Sequence, residues 1–126
     1  MTTTERVFDC LKYLGLVPRY DDNNNIRFMY QMVDFLYYNN DSDEAFINLT
    51  MIGFYKVTDD NRLAVFEAMN TVNETTKVVK LTISRDNWVW AGTEIMMDST
   101  PELDDVLPRL LRILIVAKDK FLKEIG

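Results

Sequence analysis

Apolar residues recur every three or four positions in three stretches of this chain, and the stretches between them alternate apolar with polar or are rich in β-branched and aromatic residues. In the first, Val7, Cys10, Leu11 and Leu14 share one side of a helix. Thr2 and Glu5 have the spacing of a capping box, and Gly15 and Pro18 end the helix. "YDDNNN" at 20–25 is a polar loop, and "IRFMYQMVDFLYYNN" after it has no helical period. It predicts two strands turning near Met32 and Val33, or one long bent strand, because no Gly or Asn marks the turn. "NNDSDE" at 39–44 is a turn. "AFINLTMIGFYKV" is then a third strand, with Ile47, Leu49 and Met51 alternating against Phe46, Asn48 and Thr50, and Gly53 bending or ending it.

"TDDN" at 58–61 offers capping side chains to a second helix, "RLAVFEAMNTVN", whose expected buried positions are Leu63, Phe66, Ala68, Met69 and Val72. "KVVKLTIS" and "WVWAGTEIMM" form a hairpin joined by "RDN". A last helix follows "DSTPEL", with Thr100 as a cap and Pro101 at the first helical position, and Pro108 predicts a kink or a short preliminary turn. The predicted order is α-β-β-β-α-β-β-α. Strands linked by short turns imply an antiparallel five-stranded sheet, with helices to cover it, hence α+β.

Strand alternation assigns surfaces. If Val79, Leu81, Ile83, Val89, Ala91, Thr93 and Ile95 face the core, Trp88 and Trp90 face the other way, and Phe46 shares their side. Either a helix covers that face or its aromatics form a platform for a peptide or a second subunit. The last helix is apolar around most of its circumference. Leu111, Ile115 and Leu122 lie outside its main stripe and are candidates for a homodimer interface. Asn70 and Asn73, three apart near the end of the second helix, share one face. They read as structural groups that satisfy backbone at the junction with the following strand, in preference to ligands.

Composition narrows the chemistry. At 126 residues, 48% apolar, with 4 Gly and 3 Pro, the chain has the size and make-up of one globular domain spanning 1–126. The start lacks a secretory pattern and no segment is long and apolar enough for a membrane span. The single cysteine fits a reducing compartment, so the expectation is a cytoplasmic protein without a membrane partner. A net charge of -6 disfavours phosphate backbones, and the aromatic strands lack the signature of RNA-recognition sheets. Nucleic acid is therefore not an expected partner.

There is no histidine, which removes the commonest general base and every His-based metal site. Cys10 lies on the apolar side of its helix and reads as core. Asp21, Asn23 and Asn25 have the 1-3-5 spacing of a calcium loop, but Ile26 and Met32 stand where Gly and Glu are needed. "NNDSDE" fails the same test. Asp59/Asp60 and Asp104/Asp105 precede or open helices, where the macrodipole favours negative charge. The four glycines cannot build a phosphate loop. No enzyme class and no cofactor is indicated. The alternative to a protein-binding role is a small-molecule pocket ringed by Tyr30, Tyr37, Tyr38, Asn70 and Asn73.

The element order, the acidic chain of this size, "MNTVN" just before "KVVKLTI", the acidic turn "NNDSDE" and the long apolar last helix together resemble the YbjN family. That family is similar in fold to the type III secretion chaperones, the group named for the Tir chaperone. The resemblance covers nearly the whole chain as an element pattern. It implies a bacterial, non-enzymatic protein of type III secretion chaperone-like fold. Its better-understood relatives act as dimers holding extended protein segments, while the YbjN branch has no settled biochemical role. The resulting expectation is a chaperone-like or regulatory protein-protein interaction module, homodimeric, with a protein or peptide partner.

Overall fold

The computed structural model describes residues 1–97 and 102–126. The expectations for Thr100 and Pro101 lie outside them. Helix α1 (Thr3–Tyr13) starts at the expected capping box. Thr2 accepts from the Glu5 N–H, and the Glu5 carboxylate accepts from the Thr2 N–H. It ends where Gly15 takes a positive φ of 88° and Leu16 donates back to the Leu11 carbonyl, the left-handed close that glycine permits.

Strands β1 (Arg19–Tyr20), β2 (Ile26–Tyr30), β3 (Val33–Tyr37) and β4 (Phe46–Lys56) follow, then α2 (Arg62–Thr75), β5 (Val79–Ile83), β6 (Trp88–Met96) and α3 (Leu103–Ile125). The sheet is antiparallel and has six strands in the order β1-β2-β3-β4-β6-β5, not the expected five. The added member is β1, two residues just after Pro18 that pair Arg19 with Arg27 and Tyr20 with Ile26. So short a strand carries no period of its own. It exists because β2 presents an edge to it.

The β2–β3 hairpin turns at Gln31 and Met32, one residue earlier than expected, and both take positive φ, 50° and 65°. A two-residue hairpin loop favours such backbone, and strand pairing imposes it here on residues that do not prefer it. In β4 the ladder to β6 shifts between Met51 and Tyr55, so Gly53 marks a bulge within the strand and not its end.

The core lies between one sheet face and the three helices. Ile26, Phe28, Phe35, Tyr37, Ile47, Leu49, Met51, Leu81, Val89 and Ala91 face Val7, Leu11, Val65, Val72, Leu107, Leu111, Leu114 and Phe121 across it. Helix α2 is rotated from the expected setting. Val65, Ala68 and Val72 are buried, while Leu63 and Phe66 are 70% and 49% exposed. Both stripes have helical spacing, and the packing of α2 on α3 and β5 chooses between them. Its first turn has no side-chain cap. Asn61 instead bonds the Thr58 N–H and the Lys56 carbonyl. Helix α3 runs unbroken through Pro108.

The acidic turn has a structural use. Glu44 accepts from the Thr3 N–H at 2.6 Å and from its hydroxyl at 2.8 Å, and Asp41 accepts from the Thr4 hydroxyl at 3.0 Å. These carboxylates sit at the positive end of α1, where an anion is stabilised.

Candidate protein-binding face

Because all three helices pack on one side, the other side of the sheet carries no helix among the described residues. Alternation places Phe46, Asn48 and Thr50 of β4 there. Pairing adds Met96, Glu94, Gly92, Trp90 and Trp88 of β6, with Lys80 and Thr82 of β5. The predicted trio of Phe46, Trp88 and Trp90 therefore shares this face, over which no helix packs among the described residues. The trio is not one cluster. Phe46 pairs with Met96 at one end of β6, and the tryptophans stand at the other.

At the tryptophan end the bulge brings Gly53 against both indoles. A Cβ on Gly53 would lie 2.7 Å from the Trp88 Cβ and 3.1 Å from the Trp90 Nε1, so only glycine fits. The Lys56 ammonium is 5.4 Å from the Trp88 ring centroid and donates to the Asp86 carbonyl at 2.8 Å. A hollow of about 190 Å³ lined by Ile52, Gly53, Trp88 and Trp90 opens here. A second, of about 260 Å³, lies at the Phe46 end among Tyr38, Asn48, Thr50 and Gly92. A third, of about 220 Å³, adjoins it through Gly92 and Glu94 and reaches Val78 and Lys80.

Asn48 is buried on this face, and its side-chain amide takes the place of a ladder pair. It accepts from the Tyr38 N–H at 2.8 Å and donates to the Tyr38 carbonyl at 2.9 Å where β3 leaves β4. Asn73 does the same at the sheet edge. Its Oδ1 accepts from the Leu81 N–H at 2.7 Å and its Nδ2 donates to the Leu81 carbonyl at 3.4 Å, so α2 closes part of the open side of β5. Asn70 is exposed one turn earlier and makes no side-chain hydrogen bond among the described residues. The pair thus divides: Asn73 binds backbone, and Asn70 faces solvent. An asparagine inside strand β4, where that residue is uncommon, is the signal that points to Asn48.

The small-molecule pocket expected from Tyr30, Tyr37, Tyr38, Asn70 and Asn73 does not assemble. Tyr37 is in the core, with burial pushing its hydroxyl up to about 12, and Tyr38 points to the opposite face. Tyr30 packs on Phe35, and the asparagines are on α2 beside β5, with β4 and β6 between. Of the three α3 residues, Leu111 is 1% exposed in the chain's own core, Ile115 is half-buried and Leu122 is 40% exposed.

A hollow of about 450 Å³ between α1 and the start of α3 is lined by Asp9, Cys10, Tyr13 and Asp104. The Cys10 thiol is pushed up to about 11, first by burial and then by donating to Asp104 at 3.5 Å. A thiol held protonated at neutral pH is a poor nucleophile. No group of three or more acidic or cysteine side chains among the described residues could hold a metal ion. No helix there is long and apolar enough to cross a membrane.

Against solved structures, YbjN from E. coli superposes with a TM-score of 0.65 at 13% identity, over 92% of this chain and 91% of that one. The fold is that of YbjN and the type III secretion chaperones. The Yersinia pestis type III secretion chaperone SycH, solved with a stable fragment of YscM2, gives a TM-score of 0.57 at 11% identity over 97% and 98% of the two chains. The HopA1–SchA chaperone–effector complex gives 0.64 at 9% identity over 98% and 93%. No protein-family profile and no curated protein matches the sequence.

Proposed function

We propose that this chain is a non-catalytic protein-binding module, chaperone-like or regulatory, that works in the cytoplasm and engages its partner through the helix-free sheet face. The observation that carries the reading is the composition of that face: Trp88, Trp90, Phe46 and Tyr38 around open hollows, with no helix over them among the described residues. Tryptophan and tyrosine supply large contact area at small entropic cost, which is why they recur at binding hot spots. Two structures of the same fold, SycH with its YscM2 fragment and SchA with HopA1, were solved as complexes with protein partners, which supports the reading. So does the absence of histidine from the sequence and the raised thiol of Cys10.

A pull-down comparing the wild type with Trp88→Ala/Trp90→Ala tests it. Loss of specific partners from the variant is expected, and equal recovery of the same partners by both forms refutes it. We also propose a homodimer that uses the outer side of α3, where Ile115, Val116 and Leu122 remain accessible after folding. Leu122→Asp leaves the chain's own core intact and is expected to halve the mass measured by sedimentation. A wild type that sediments as a monomer rules the dimer out.

A further inference from the structure

We infer that Arg19 and Arg27 form a receptor for one phosphate monoester carried on a side chain of the protein partner. This rests on the reading above and names a chemical mark on that partner.

The two arginines are direct partners in the β1–β2 ladder. Ile26 and Phe28 are buried in the core, so alternation turns Arg27 to the helix-free face, and its ladder partner Arg19 goes with it. Tyr20, the next residue along β1, stacks on Phe8 of α1 on the helix side with ring centroids 4.5 Å apart, as the alternation requires. Both arginines are exposed. Direct cross-strand partners stand about 5 Å apart, and like charges there repel.

The fold leaves this repulsion uncompensated, although the chain has 20 acidic residues against 14 basic ones. The ion pairs among the described residues are Lys80–Glu94 and Lys118–Asp119, and neither arginine makes a side-chain hydrogen bond there. Asp21, two residues from Arg19, accepts from the Asn23 and Asn25 N–H groups, each at 2.9 Å. On β3 the partner of Arg27 is Leu36, where an acidic residue would cancel one charge. Asp34, opposite Met29, lies one diagonal step away and forms no ion pair with Arg27. Charge on an edge strand deters sheet-to-sheet pairing, which gives Arg19 a structural use. It gives none to Arg27, which β1 already covers.

Two guanidinium groups offer two positive charges and two planar donor forks. A phosphate monoester carries about -1.5 to -2 at pH 7 and three strong acceptor oxygens, so one such group neutralises both arginines and takes a fork from each. A carboxylate carries one charge and leaves the second arginine unpaired. A polyanion would be repelled by the rest of a chain whose net charge is -6, whereas a single phosphate meets only this pair. Arg27, Leu36, Thr50 and β6 lie in one row across the sheet, three strand spacings of about 4.8 Å. A phosphate on the arginines is thus about 15 Å from the strand that carries Trp88 and Trp90, and one partner surface spans both.

The test uses short fluorescent peptides of Gly and Ala with phosphoserine, serine or aspartate at the centre. Binding is read by anisotropy at low salt against wild type, Arg19→Gln/Arg27→Gln, Arg27→Lys and Trp88→Ala/Trp90→Ala. Wild type is expected to bind the phosphoserine peptide at least tenfold more tightly than the other two. Arg19→Gln/Arg27→Gln is expected to lose that preference while its melting temperature stays level or rises, since the repulsion is gone. Arg27→Lys, which keeps the charge and loses the planar fork, is expected to weaken phosphopeptide binding at least threefold. The tryptophan variant is expected to keep the preference, and its loss there would move the site to the tryptophans and overturn the proposal. If wild type does not prefer the phosphoserine peptide, or the glutamine variant keeps the preference, the receptor is wrong, and the pull-down above decides separately whether the face binds a partner. If the glutamine variant melts lower, Arg27→Lys decides, and undiminished binding by it overturns the proposal. Inorganic phosphate that displaces the peptide at equal concentration makes the ligand a free phosphate, which also overturns it.

Discussion

Removing the Asn73 amide isolates one device in this fold, the side-chain closure of the β5 edge. Asn73→Ala deletes a 2.7 Å bond from the Leu81 N–H and a 3.4 Å bond to its carbonyl. A net hydrogen bond contributes about 1 kcal/mol, and the longer one less, so about 1.5 kcal/mol is lost. Alanine is a better helix former than asparagine by about 0.6 kcal/mol, which leaves a net destabilisation of about 1 kcal/mol. With an unfolding entropy near 2.1 cal/mol/K per residue, that lowers the melting temperature of a chain this size by about 4 °C. Asn70→Ala, one turn away with no bond to lose, keeps only the propensity gain and is expected to raise it by about 2 °C. Hydrogen exchange gives the local readout: the Leu81 amide should lose protection roughly tenfold in Asn73→Ala and none in Asn70→Ala. If both variants shift melting in the same direction and Leu81 stays protected, the edge is held by something other than this amide.

Val78 is 52% exposed and adopts φ 52°, a backbone setting that is costly for a β-branched residue. Val78→Gly is expected to stabilise the fold by about 1 kcal/mol in urea unfolding, and an unchanged midpoint would show the strain is absent. Cys10 predicts a pH effect. Its folded thiol holds its proton up to about 11 against an ordinary value near 9.0, so stability is level below pH 9.0 and falls as pH rises toward 11. Cys10→Ala should flatten that part of the wild-type curve of urea midpoint against pH, and parallel curves would contradict the assignment.

Much of the architecture is local and was legible residue by residue. The capping box at Thr2 and Glu5, the stop at Gly15, the alternation of Ile47, Leu49 and Met51, and the outward setting of Trp88 and Trp90 all follow from backbone periods of 3.6 and 2. The turn at Gln31 and Met32 shows where this ends, since neither residue prefers a positive φ and the pairing of β2 with β3 holds both there.

By itself, then, the sequence determined which segments are helix or strand and which side of most strands is apolar, because those depend on neighbours a few positions away. Only the tertiary structure decided that β1 exists, that α2 buries Val65 and leaves Leu63 and Phe66 exposed, that Asn73 closes an edge, and that all three helices pack on the sheet face opposite the tryptophans. Each of these depends on a partner distant along the chain. A period can state that a face is apolar, but only packing assigns what, if anything, lies against it.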